Sequence, residues 1–379
     1  MEIRKGVDMP ETTKIGNIEA IFLIVTIMIN HIILNLPKAL LNETGSSGLL
    51  NIVFITLLTL GIVYLIYRLL RHFPGLDILD ISEFLGGKTL KLIIGILFIV
   101  YFILFASVFL RSFCESLKII YFPRVPLFIL ALFFIIGMIW TNRLGMRSII
   151  RANLIFIPIV MFSIIIVFFA NLDNFTLQRM FPLFGNGIYT TFFSGISNLF
   201  AFAGIFFLYF LPPSLKDFKD FKKIAFTSVI LSGIWLFFSI ATLLFIFPSI
   251  MTTDQILPLY LASRFIEFGR FFQRLDALFL FTWIISMMSY LSILLALAVN
   301  IFKKITRFQY SYISIYIGAV IIFLLNLIPK NYSQVHFFET TVYKYFVLIL
   351  IFAISLIVLI LATLKRKKQL KNKGDFIDE

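Results

Sequence analysis

Ten apolar stretches, each near the length a helix needs to cross a bilayer, divide this sequence and constrain what it can fold into. A helix rises about 1.5 Å per residue, so about 20 apolar residues cover a hydrocarbon core about 30 Å thick. The stretches fall near 17–40, 49–70, 90–113, 125–141, 149–170, 187–211, 224–247, 273–302, 310–329 and 342–364, the fourth being the shortest. Composition agrees: 60% of residues are apolar and 14% charged, against about 45–50% and about 25% in soluble domains. A soluble globular protein is excluded. The expected fold is an all-α membrane protein of ten transmembrane helices.

The loops supply an orientation, because cytoplasmic loops gather Lys and Arg. With the N-terminus inside, the cytoplasmic segments hold Arg4, Lys5 and Lys14, then Arg68, Arg71, Lys88 and Lys91, then Arg143, Arg147 and Arg151. Lys216, Lys219, Lys222 and Lys223 follow, then Lys303, Lys304 and Arg307, and finally the tail from Lys365 to Lys373. Both termini are therefore expected in the cytoplasm. The net charge of +14 reads as topology, since nucleic-acid binding needs basic residues gathered into one folded patch. The basic tail either anchors that topology or holds anionic membrane lipid.

No linker rich in Ser, Gly or Pro divides the chain, so residues 1–379 read as one polytopic domain. It comprises an N-tail at 1–16, a bundle at 17–364 and a basic C-tail at 365–379. Ten helices with both ends inside suit a 5+5 inverted repeat in which the first and sixth helices are broken near the midplane. A proline is expected to close each repeat opener, in Asn35-Leu36-Pro37 and in Phe210-Leu211-Pro212-Pro213. The segment from Phe73 to Gly87 is too polar to cross and predicts a short surface helix ended by its glycines.

Polar side chains inside a span are tolerated where they face protein or a water-filled cavity. Asn30, His31 and Asn35 precede Pro37 in the first span. They form either a helix break that contacts a ligand or interhelical hydrogen bonds worth about 0.6–2 kcal/mol each. His31 also has the chemistry of a proton relay, its unperturbed pKa being about 6.5. In the sixth span, Ser194 to Asn198, including Ser197, and then Gly204 form either the other half of a central site or a small-residue packing face. Tyr101 and Ser107 on the third span, with Trp283 and Ser286 on the eighth, either complete a pocket or pack. Arg111 and Glu115 lie four apart and can pair on one face; Arg274 and Asp276 open the eighth span. Both sets read as gate or anchor pairs. There is no G-x-S-x-G elbow, no phosphate loop, and one cysteine, Cys114, so no enzyme, metal or cofactor is expected.

Three stretches carry a family likeness. They are Gly16-Asn17 through Ile33-Leu34-Asn35-Leu36-Pro37, then His72-Phe73-Pro74-Gly75 through Glu83-Phe84-Leu85-Gly86-Gly87, and Phe272-Gln273-Arg274-Leu275-Asp276-Ala277-Leu278-Phe279 with Thr282-Trp283-Ile284. In order and spacing they resemble the B subunits of bacterial endospore germinant receptors. That is the spore germination permease family of the amino acid/polyamine/organocation superfamily. Two departures stand out. The family commonly has glycines where this chain has Asn30 and Ile32, and a glutamate in the sixth span, where none occurs between Gly187 and Lys216. The resemblance implies a nutrient sensor in the inner membrane of a dormant spore that binds a small germinant such as an amino acid. It also implies two partners, an A subunit with a soluble cytoplasmic domain and a lipoprotein C subunit outside. Two other readings stand beside it: an amino acid secondary transporter of vegetative cells, and a ligand-free membrane scaffold.

Overall fold

The computed structural model describes residues 14–33, 36–248, 258–266, 275–308 and 311–374, and every regular element among them is a helix. In chain order these include α1 (Asn17–Ile33), α2 (Leu36–Thr44), α3 (Gly48–Leu70), α4 (Ile78–Ile120), α5 (Leu127–Arg143), α6 (Met146–Ala170) and an irregular helix over Tyr189–Tyr209. Then come α7 (Asp220–Ile246), α8 (Pro258–Arg264), α9 (Leu275–Thr306), α10 (Ser311–Asn326) and α11 (Tyr332–Leu370). Among the described residues, seven helical stretches are long and apolar enough to cross a membrane, and three shorter apolar helices, Asn17–His31, Leu127–Arg143 and Tyr312–Asn326, stand among them. The chain is a multi-pass helical membrane protein. Its outward face carries Phe133, Ile136, Ile155, Phe162, Ile317 and Leu324, all exposed; in water they would be an aggregation liability, whereas in lipid they meet a like solvent.

At the opening of the bundle the structure departs from expectation. Pro37 does not close the first span; it sits in the first turn of a second helix, Leu36–Thr44. A proline suits that place, since its missing N–H has no intrahelical acceptor there and its fixed φ is already helical. Residues 34 and 35 lie outside the described residues. At the other expected opener, the irregular helix ends at Tyr209 and Pro212 begins a separate 3₁₀ turn, Pro212–Ser214.

The 189–209 helix is not α-helical. It starts as a π turn, Tyr189–Phe193, and continues as a 3₁₀ run, Ser194–Tyr209, with Phe202 off helical geometry at φ −98° and ψ 25°. Long 3₁₀ runs have poor hydrogen-bond geometry and mark strain or function. A side chain from α3 supports this one. Asn51 donates to the carbonyls of Thr191 (2.7 Å) and Gly195 (3.2 Å) and accepts from Asn198 (3.0 Å). Irregular backbone at membrane depth needs such internal partners. Gly195 has no side chain because a Cβ there would lie 2.2 Å from Asn51 Nδ2.

The expected surface helix is present as the first two turns of α4. Asp77 caps it, accepting from the backbone N–H of Leu79 and Asp80 at 3.0 Å each. The helix then kinks at Gly86 and Gly87, whose φ of 71° and ψ of −165° favour a residue without a Cβ. Lys304 of α9 holds this short helix from above through Asp77 and Asp80, at 2.6 Å each. Lys365 donates to the carbonyls of Phe84 and Leu85 at 2.9 Å. The basic tail thus begins on the surface helix, where cations suit the last carbonyls.

Two further spans differ in extent. α4 runs on to Ile120, so Arg111 and Glu115 lie inside a helix and not at its end. The last helix starts at Tyr332, ten residues before the apolar stretch suggests; its first turns are too polar to mark a span, with Val335 and Glu339 buried and Ser333, Gln334 and Phe337 exposed. α1 occupies the middle of the molecule, packed against α6, α7, α9 and the 189–209 helix.

Candidate ligand site

His31, near the end of α1, is the centre of the site. Its Nε2 lies 3.0 Å from Tyr343 Oη of α11 and 3.2 Å from Tyr290 Oη of α9, so one imidazole nitrogen serves two phenols. Tyr343 stacks on the imidazole at 4.9 Å between ring centres, and Phe109 of α4 meets it edge-on at 4.4 Å. Tyr101 adds a third phenol, 3.5 Å from Tyr343 Oη. A small cavity opens here, lined by His31, Leu36, Phe109, Phe200, Glu339, Thr340 and Tyr343, with about 10 Å³ open to water centres. That is room for about one water. An amino acid would need the rings to move aside.

Glu339 and Thr340 reach the cavity because α11 widens into a π turn at Phe338–Val342, a feature common at functional sites. Glu339 is buried and accepts from Ser112 Oγ of α4 at 2.9 Å.

The residue before His31 on α1, Asn30, donates to Thr26 O (2.8 Å) and across to Ser286 O of α9 (3.2 Å). Its Oδ1 is buried without a partner, as are Ser286 Oγ, Trp283 Nε1 and Asn153 Nδ2. Orphaned polar atoms in an apolar setting cost free energy unless water or a ligand meets them. Two of them, Asn30 Oδ1 and Ser286 Oγ, belong to residues that face each other across α1 and α9.

The outer wall is ionic. Glu43, on α2, accepts from Ser194 Oγ (3.1 Å) and Ser197 Oγ (3.2 Å) and pairs with Lys344 Nζ at 2.8 Å. The 3₁₀ geometry explains the double contact: at three residues per turn, positions i and i+3 eclipse. Glu43 thus brings a carboxylate to the segment that has no glutamate of its own.

Of the residues singled out from sequence, His31 lines the cavity, Tyr101 stands behind Tyr343, Asn30 meets Ser286 across α1 and α9, and Ser197 meets Glu43. Asn198 serves Asn51 beside it. Gly204 permits close approach of the 189–209 helix to α1, since a Cβ there would meet Met28 Cγ at 2.8 Å and Ile24 O at 3.1 Å. Ser107 does not join; its hydroxyl bonds to Leu104 O of its own helix at 2.6 Å. Trp283 packs edge-on against Phe113 at 4.5 Å, away from the cavity. Arg111 pairs with Glu115 at 2.8 Å and donates to Asn326 O at 3.2 Å, tying α4 to the end of α10. Asn35 and Arg274 lie outside the described residues, as does the side chain of Asp276, whose backbone opens α9. Tyr290, Tyr343, Glu339, Glu43 and Lys344 escaped sequence reading. The acidic pair sits beside stretches too polar to count as spans, which was the available signal.

Residues 14–335 match the family described as "Spore germination protein". The chain belongs to that family. Among spore germination proteins of Bacillus subtilis (strain 168), it is 24% identical to A2 over 374 residues, covering 93% of this chain and 97% of A2. It is 25% identical to KB over 329 residues, covering 83% and 86%. Its fold is that of solved transporters. MhsT in complex with L-phenylalanine aligns with a TM-score of 0.67 at 14% identity, covering 93% of this chain and 99% of that one. A nucleobase-cation-symport-1 family transporter, closed with bromovinylhydantoin bound, aligns at 0.69 and 12% identity, covering 94% and 81%. The second of these solved neighbours is named a transporter, and both relatives are named for germination.

Proposed function

We propose that this chain is the membrane subunit of a spore germinant receptor that binds a small nutrient, such as an amino acid, between α1, the 189–209 helix and α11. The observation that carries this reading is the His31 cavity, where helices from both ends of the sequence supply an imidazole, the Tyr343 phenol and the Glu339 carboxylate, with the phenols of Tyr290 and Tyr101 bonded to the same cluster. A carboxylate, hydroxyls and aromatic walls suit a zwitterion with an apolar side chain. On this reading seven long and three shorter apolar helices make ten spans, arranged as a 5+5 inverted repeat opened by α1–α2 and by 189–209. Both termini face the cytoplasm, the protein sits in the spore inner membrane, and A and C subunits carry the signal onward. Ligand binding biases the bundle only by its differential affinity for the two arrangements.

The test is dipicolinic acid release from spores lacking only this chain, exposed to a panel of amino acids and other nutrients beside the intact strain. Selective loss of one response, restored by the intact gene, is expected. The shared fold with transporters favours a second reading, uptake of an amino acid by growing cells. Unchanged release across the panel, with redundant receptors removed from both strains, together with net uptake by the isolated chain in vesicles, would establish that reading.

A further inference from the structure

Four cations gather around one imidazole at the end of α3. Arg68 stands in the last turn of that helix and Arg71 closes it, while Arg366 and Lys367 arrive on α11, which packs against α3. All four act electrostatically on His72, and no carboxylate among the described residues acts on it with them. Burial, and then these charges, hold the imidazole below its ordinary value of 6.5, so at neutral pH it is an uncharged donor and acceptor among positive groups. The arrangement is braced. Arg366 donates to His72 O, and its guanidinium lies over the Phe73 ring, 5.1 Å from the centre. Arg68, Arg71 and Lys367 are exposed. Bringing like charges together costs free energy that a bound anion recovers.

The surroundings say which anion. α3 has 23 residues, about 34 Å of helix against a hydrocarbon core of about 30 Å. Its last turn and Arg71 therefore stand at headgroup level. Leu57, Gly61, Tyr64 and Leu65 are exposed along α3 at spacings of three and four, and Arg68 continues that stripe. On α11, Ile357, Leu361 and Leu364 are exposed at the same spacings, and Lys367 continues them. Two apolar tracks thus run along the bundle wall, where acyl chains lie, and each ends in a cation of the cluster. Tyr64, one turn before Arg68, sits where interfacial aromatics do. We propose that the ends of α3 and α11 bind the phosphate headgroup of an anionic phospholipid, with Arg68, Arg71 and Lys367 around the phosphate and the acyl chains along the two stripes.

The experiment uses the purified full chain in detergent, titrated with dioleoyl phosphatidylglycerol or dioleoyl phosphatidylcholine, with bound lipid counted by native mass spectrometry. Phosphatidylglycerol is expected to bind preferentially. The preference falls about 30-fold in the Arg68→Gln/Arg71→Gln double variant, the factor for two basic groups at about 1 kcal/mol each. Lys367→Gln, on the other helix, costs about fivefold by the same conversion. Arg68→Lys/Arg71→Lys keeps the charge and the lipid. Arg147→Gln/Arg151→Gln, which removes two exposed charges from the start of α6, leaves the preference in place. Equal retention of phosphatidylglycerol by wild type and the Arg68→Gln/Arg71→Gln variant overturns the proposal, as does an equal fall in the α6 variant. No preference over phosphatidylcholine in the wild type also overturns it and leaves the cluster to an acidic protein segment. Displacement of the lipid by equimolar glycerol phosphate overturns the lipid as source and makes the site one for a free phosphate anion.

Discussion

Glu43 and Lys344 stand 301 positions apart in sequence and meet at 2.8 Å, with both side chains largely shielded from solvent. The contact joins α2 to α11 across the outer face of the cavity and holds Ser194 and Ser197 in the same cluster. The two helices that supply Leu36 and Tyr343 to the pocket cannot part there without breaking an ion pair.

Glu43→Gln and Lys344→Gln should therefore each lower stability by about 1–2 kcal/mol, because each leaves a charged, half-buried partner behind. The exchanged pair, Glu43→Lys with Lys344→Glu, should recover much of that loss. Thermal melts of wild type, the two single variants and the Glu43→Gln/Lys344→Gln double variant form the cycle, with the exchanged pair beside them, and additive single effects with no recovery would dissolve the link. If the pair also gates the pocket, the single variants shift the nutrient concentration that gives half-maximal germination.

His31→Leu strands the hydroxyl of Tyr290 and leaves that of Tyr343 with only Tyr101, 3.5 Å away. A loss of about 1–3 kcal/mol per buried group sets the scale, while Tyr343→Phe, which removes one hydroxyl and keeps the ring, should cost about 1 kcal/mol. Melting temperatures in matched detergent distinguish this shared-nitrogen arrangement from one in which the tyrosines hold His31 by packing alone, where the two variants would be equally mild.

Gly195→Ala drives a methyl group into Asn51 Nδ2. The expected result is loss of the bonds from Asn51 to Thr191 O and Gly195 O, with about 2–4 kcal/mol of destabilisation by combined strain and stranded carbonyls. Hydrogen exchange over 189–198 should rise more than over α3. Unchanged protection would mean that Asn51 does not support the irregular turn.

Lys304→Gln should be more harmful at neutral pH than in acid. Burial pushes the Asp77 carboxyl up from its ordinary value of 3.8, although Lys304 pulls it down. A carboxyl raised by folding penalises the native state as pH climbs from its unfolded value through its folded one, and not below. Without Lys304 the rise grows, so the stability gap to wild type is widest near pH 7.5 and narrows toward pH 4.5. Melting curves across that range check the sign; a constant gap would show that Asp77 stays ionised throughout.

The bundle was legible because lipid leaves few options: apolar runs of about 20 residues become helices. The kink at Gly86-Gly87 was legible for a local reason, since left-handed backbone asks for glycine. Asn30 and His31 stood out because amides and imidazoles are expensive in hydrocarbon. Their partners were hidden. Glu339 lies in turns whose polarity dilutes the hydropathy that locates a span, and nothing local says that Glu43 will face Ser194 and Ser197. Pro37 misled for a related reason: proline ends one helix and begins the next by the same geometry, and only the following turns decide which. Ser107 turns to its own helix because a hydroxyl can donate to the preceding turn, which uses its one donor on Leu104 O.

Trp283 has a fully buried indole whose N–H meets no partner. Of the other two tryptophans, Trp140 is exposed and Trp235 donates to Met161 O at 2.8 Å. The chain thus carries a dry fluorophore on the same helix as Ser286 and Tyr290. Its emission is blue while the heart of the bundle excludes water, and any rearrangement that floods the space beside α9 will announce itself as a red shift, with no label attached.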